Sequence, residues 1–142
     1  MIILLVALAS AGWAATHYVV PPGTAGVTPT DPYTNWATAG TSMIDVCYAA
    51  ETNTTTPRVV WVTNGTYYPT NRMLYWTAGV MLRSVNGRDV TIIDGLAGAM
   101  VTNHFLGMQS SVDSTSIGID GFTITNLTLT AMVLCSAITT RF

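Results

Sequence analysis

From Arg58 onward the chain is a succession of short apolar runs, each bounded by Gly, Asn or Asp. They read RVVWV (58–62), GVMLRSV (79–85), DVTIID (89–94), MVTNHFLGM (100–108), IGIDGFTIT (117–125) and NLTLTAMVL (126–134). Runs of this length, rich in Val, Ile and Thr and closed by turn formers, predict β-strands. One stretch differs. In Met43–Glu51 the apolar residues Ile44, Cys47 and Tyr48 recur at helical spacing, and Met43, Val46 and Ala50 form a second strip. Ser42 precedes them, with Asp45 three residues on, so the spacing predicts a capped helix that is apolar around much of its girth. Asn64-Gly65 follows the first strand run and Asn86-Gly87 the second. Asn-Gly is the strongest short-range signal for a hairpin. Here the signal recurs, and Val60, Met81, Thr102 and Thr123 fall inside successive runs about 21 residues apart. A constant step predicts stacked repeats, with Asn-Gly turning a corner between faces. A meander of hairpins is the competing expectation.

Composition narrows the class. The 142 residues suffice for one domain, and the chain is 49% hydrophobic but only 8% charged. All five basic residues are Arg, and the net charge of −2 gives no basic surface for nucleic acid. The apolar stretch Ile2–Ala9 is too short to span a bilayer and is followed by small residues. Residues 1–15 therefore read as a secretory signal cleaved after Ala14 or Ala15, although the segment before Ile2 holds no Lys or Arg. Once the signal is removed, no stable membrane span is expected. Cys47 and Cys135 are read as two buried free thiols, with a disulfide as the alternative in an exported protein.

The phrases NWATAGTSMIDVCYAAETN (35–53), PRVVWVTNGTYY (57–68), VMLRSVNGRDVTIIDG (80–95) and IGIDGFTITN (117–126), in that order, carry a resemblance. They resemble the opening of exported bacterial right-handed parallel β-helix proteins of the pectin lyase-like superfamily. The resemblance covers about residues 16 to 126. It implies an all-β solenoid of about four coils with a short N-terminal capping helix, and it implies export. It implies no single activity, because the superfamily holds polysaccharide lyases, glycoside hydrolases, adhesins and plain surface repeats. The expected layout is a signal at 1–15, a strand, loop and capping helix at 16–57, and coils at 58–142. Residues 127–142 form an atypical tail without a Gly-rich corner. That tail suggests a truncated product, with edge-to-edge self-association through an uncapped last coil; a tail folded over the end is the alternative.

Chemistry is sparsely marked. β-Elimination on polysaccharides needs a base, and hydrolysis needs two carboxylates at a set separation. The seven acids, Asp31, Asp45, Glu51, Asp89, Asp94, Asp113 and Asp120, include no Asp-Asp or Asp-x-Asp pair. Asp94-Gly95 and Asp120-Gly121 each follow Ile, and stacking would bring them within reach of Arg83 or Arg88; the alternative reading is turn residues. His104 is read as a structural histidine ahead of a general base. No His/Cys cluster has zinc spacing, and no metal or cofactor is expected. Tyr67, Tyr68, Tyr75 and Trp76 lie close in sequence and are the candidates for stacking on sugar rings, with packing under the N-terminal loop as the alternative. Three triplets beginning at Asn53, Asn64 and Asn126 fit the N-glycosylation pattern. The expectation is a secreted or cell-surface protein acting in adhesion or polysaccharide binding, with no catalytic site in this chain. The alternative is a fragment of a polysaccharide lyase or glycoside hydrolase whose catalytic coils are missing.

Overall fold

The computed structural model describes residues 14–68, 74–76, 79–95, 106–108 and 118–126. The expected signal segment, His104, Cys135 and the 127–142 tail lie outside the described residues, apart from Ala14 and Ala15 of the signal.

Nine strands and one α-helix make up the described chain. They are β1 (Ala15–Val19), α1 (Met43–Glu51), β2 (Arg58–Val62), β3 (Gly65–Tyr67), β4 (Leu74–Trp76), β5 (Val80–Ser84), β6 (Thr91–Asp94), β7 (Leu106–Met108), β8 (Gly118–Asp120) and β9 (Thr123–Thr125). They form three parallel sheets: β1-β2-β5-β8, β3-β6-β9 and β4-β7. Alternation puts one side of each strand inside. In the first sheet His17, Val60 and Leu82 stand opposite one another in register and are fully buried, with Ile119 partly buried beside them. In the second sheet Tyr67 and Ile93 hold the equivalent inward positions.

The helix begins where Ser42 Oγ accepts the Asp45 backbone N–H at 3.3 Å, which satisfies one of the open donors of the first turn. Met43, Val46, Cys47, Ala49 and Ala50 are buried. The helix lies against β1, β2, β4 and β5. A cap would cover only the end of a stack; this helix is a layer of the core itself.

The expected all-β, right-handed parallel β-helix of about four evenly stepped coils with a capping helix is therefore corrected. The molecule is an α/β-like mix of three open parallel sheets and one core helix, with no closed sheet among the described residues. The constant step fails as well. Arg58 faces Val80, 22 positions on, whereas Met81 faces Gly118, 37 positions on. Thr123 does not join Val60 and Met81; it pairs with Ile92 in the second sheet. Thr102 is outside the described residues. The physical reason is that strand register is set by side-chain burial, while the connecting loops are free to differ in length.

The Asn-Gly sites turn the chain between sheets and close no hairpin. Val62 ends β2 in the first sheet and Gly65, at φ +148°, starts β3 in the second. Gly87, at φ +87°, makes the same passage from β5 to β6. That left-handed conformation favours a residue without Cβ. The two turns are tied together: Asn86 Nδ2 donates to Asn64 Oδ1 at 2.6 Å. The run 117–125, expected as one strand, is split by Gly121 at φ +77° into β8 and β9.

The outer edge of β1 is covered by the loop that follows it. Tyr18 N–H donates to Tyr33 O and Gly40 N–H donates to Tyr18 O, each at 2.9 Å. Val20 N–H donates to Gly40 O, and Val19 and Gly40 form a parallel bridge. His17 Nδ1 lies 2.6 Å from Pro32 O and, facing a carbonyl, is the donor. These contacts occupy backbone groups that an open edge would offer to another chain.

Candidate functional site

The inward residues of the first sheet leave an outward face, and its register aligns chemistry from distant parts of the chain. Tyr18 of β1 stands opposite Trp61 of β2, Trp61 opposite Arg83 of β5, and Arg83 opposite Asp120 of β8. All four are on the side away from His17, Val60 and Leu82, and none is buried. Adjacent strands lie about 4.8 Å apart, so the row crosses the sheet at that spacing.

The covering loop extends the row. Trp36 begins a short 3-10 turn, Trp36–Thr38, whose first free donor is capped by Asn35 Oδ1 accepting Thr38 N–H at 3.1 Å. Its ring meets Tyr18 edge-on, with centroids 4.4 Å apart and planes at 61°, a favourable aromatic geometry. Trp36 is 41% exposed. The order across the face is thus Trp36, Tyr18, Trp61, Arg83, Asp120.

At the far end Arg83 Nε stands 3.9 Å from Asp120 Oδ2, with side chains 43% and 60% exposed. This is an ion pair, too long for a hydrogen bond, and the Nε atom itself is buried without a hydrogen-bond partner. The neighbouring outward row is Thr16, Val59, Met81 and Gly118, which is uncharged. A Cβ on Gly118 would press on Met81 Cε at 3.2 Å, so the bare glycine lets Met81 lie low over β8. The two rows are mostly aromatic or apolar, with one charge pair.

The residues expected from sequence to stack on sugars do not form this site. Tyr67 is 4% exposed; its hydroxyl donates to Thr63 O at 2.9 Å and lies 3.2 Å from Thr63 Oγ1. Burial pushes that phenol up to about 12, against a smaller lowering by the Thr63 hydrogen bond. Tyr67 is a core residue. Tyr68, just past the end of β3, is 51% exposed. Tyr75 and Trp76 belong to β4, in register with Gly107 and Met108 of the third sheet. Arg83 and Asp120 do come together as stacking implied, but Asp94 stands in the second sheet, where its Oδ1 accepts from Asn126 Nδ2 at 3.0 Å.

Sequence proximity missed Tyr18, Trp61 and Trp36. The available signal was alternation: Tyr18, Trp61 and Arg83 each occupy the outward position next to a buried Val or Leu. Cys47 is a free, fully buried thiol, raised by burial and secondarily by the Glu51 charge. Tyr33, the covering-loop residue that packs against the core, is raised first by burial and then by Asp31 and Asp45. Among the described residues no three His, Cys, Asp or Glu side chains converge on a metal-sized site, and no helix is long and apolar enough to cross a membrane. Comparison of the chain with protein-family models, curated proteins and solved structures finds no match.

Proposed function

We propose that this chain is a non-catalytic binding module of an exported or cell-surface protein, and that it holds an extended polysaccharide across the outward face of its first sheet. The observation that carries this reading is the register-aligned row of Trp36, Tyr18 and Trp61 leading to the Arg83–Asp120 pair. Aromatic faces offer large apolar area at small entropic cost, which suits the apolar faces of sugar rings. The strand spacing of about 4.8 Å is comparable with the advance of one sugar unit along an extended glycan, so successive rings meet successive strands. A row laid across the strands suits a polymer, whose successive units can meet successive residues. The short apolar stretch Ile2–Ala9 with its small-residue flank supports export.

The test is binding to a panel of plant, algal and bacterial polysaccharides by affinity electrophoresis, followed by calorimetry. Trp61→Ala is expected to lower affinity at least about tenfold, as for a central aromatic anchor. Tyr68→Ala is expected to stay within twofold. Equal loss from both, or no loss from Trp61→Ala, would remove the face from the account. Release of unsaturated sugars or new reducing ends by the purified protein would replace binding with catalysis.

A further inference from the structure

The charge arrangement at the end of the row allows a narrower statement, which rests on the reading above. We propose that Asp120 is a charge-selecting residue: by neutralising Arg83 it makes the face take neutral glycans and reject polyuronates. Arg83 is the only cation in the row, and its Nε stands 3.9 Å from Asp120 Oδ2. Both side chains reach the surface, 43% and 60% exposed, so an incoming ligand meets the two opposite charges together. Every other outward position in the two rows, Thr16, Tyr18, Val59, Trp61, Met81 and Gly118, is occupied by an uncharged residue type. The chain as a whole carries −2. A polyuronate would bring one carboxylate per sugar to two rows that hold no cation besides the paired Arg83, and like charges a few ångströms apart repel. A neutral sugar has hydroxyls that can donate to Asp120 and accept from Arg83 together.

The experiment uses matched hexasaccharides that differ only at C6: β-1,4-linked glucose, mannose and α-1,4-linked galactose hexamers, and the corresponding uronic acid hexamers. Calorimetry on the full chain is expected to show the wild type binding at least one neutral hexamer about tenfold or more tighter than its uronate. Asp120→Asn, isosteric and exposed, is expected to raise uronate affinity about tenfold and so to shift the neutral-to-uronate ratio toward the uronate. The gain is expected to vanish when Arg83→Met is added, which identifies the unmasked cation as its source. Added salt is expected to weaken only the newly gained uronate binding. A wild type that prefers the uronate, or an Asp120→Asn variant with an unchanged neutral-to-uronate ratio, overturns the inference. If Trp61→Ala still abolishes neutral binding in that case, the binding face stands and only the charge selection falls. If the wild type binds no hexamer, neutral or acidic, both fall.

Discussion

Tyr67 and Cys47 show how burial turns single side chains into pH-dependent stabilisers. Each is held in its protonated form by desolvation, Tyr67 with a phenol raised to about 12 and Cys47 with a thiol raised above its ordinary value. A group whose folded value lies above its unfolded one contributes fully below the unfolded value. Its contribution is lost as pH rises toward the folded one. Urea-unfolding midpoints are therefore expected to be flat near neutrality and to fall from about pH 9, where an unfolded thiol begins to ionise, with Tyr67 adding to the slope above about pH 10. Tyr67→Phe is expected to cost about 1 kcal/mol at pH 7 through the lost bond to Thr63 O, and to flatten the decline between about pH 10 and pH 12. Cys47→Ala is expected to remove the earliest part of the decline. An unchanged alkaline slope in both variants would show that neither group is differentially protonated.

The helix and most strands were legible because their signals are local. Ser42 and the Met43–Glu51 pattern specify a capped helix, and Arg58–Val62 reads as a strand from five residues alone. Ser42→Ala is accordingly expected to lower stability by about 1 kcal/mol in chemical denaturation. What the helix does was less legible. Being apolar around much of its girth suited both a cap and a core layer, and only its contacts with β1, β2, β4 and β5 decide for the layer. The Asn-Gly turns were legible as turns, but not their partnership: Asn64 and Asn86 meet because β2 and β5 pair in register. Asn86→Ala is expected to cost about 1 kcal/mol or less, since the pair is exposed. Alternation marks the outward residues of the proposed binding row, but their alignment was illegible for the same reason. Tyr18, Trp61, Arg83 and Asp120 are separated by loops of unequal length, so no fixed step through the sequence collects them.

Burial on one side of the first sheet and the proposed binding on the other make the two faces separable, with Gly40 as the exception that joins them. Leu82→Ala, on the inner face, is expected to cost about 2–5 kcal/mol, whereas outer-face substitutions change affinity with little change in stability. Gly40 carries two of the four hydrogen bonds that seat the covering loop beside β1, and a methyl group added to it would run into Val46 Cγ2 of the core helix. Gly40→Ala must therefore lift the loop or displace the helix. Lifting the loop withdraws Trp36 from Tyr18 and opens the backbone of β1. The variant is expected to lose about 1–3 kcal/mol of stability and several-fold in glycan affinity, though no residue of the row has changed. It is also expected to associate with rising concentration in light scattering, because the bared β1 edge offers unpaired N–H and C=O groups to another chain. Trp36→Ala separates the effects: it keeps the loop seated, so affinity falls while the protein stays monomeric. A Gly40→Ala protein that binds like the wild type and does not associate would mean that the loop neither builds the row nor guards the edge.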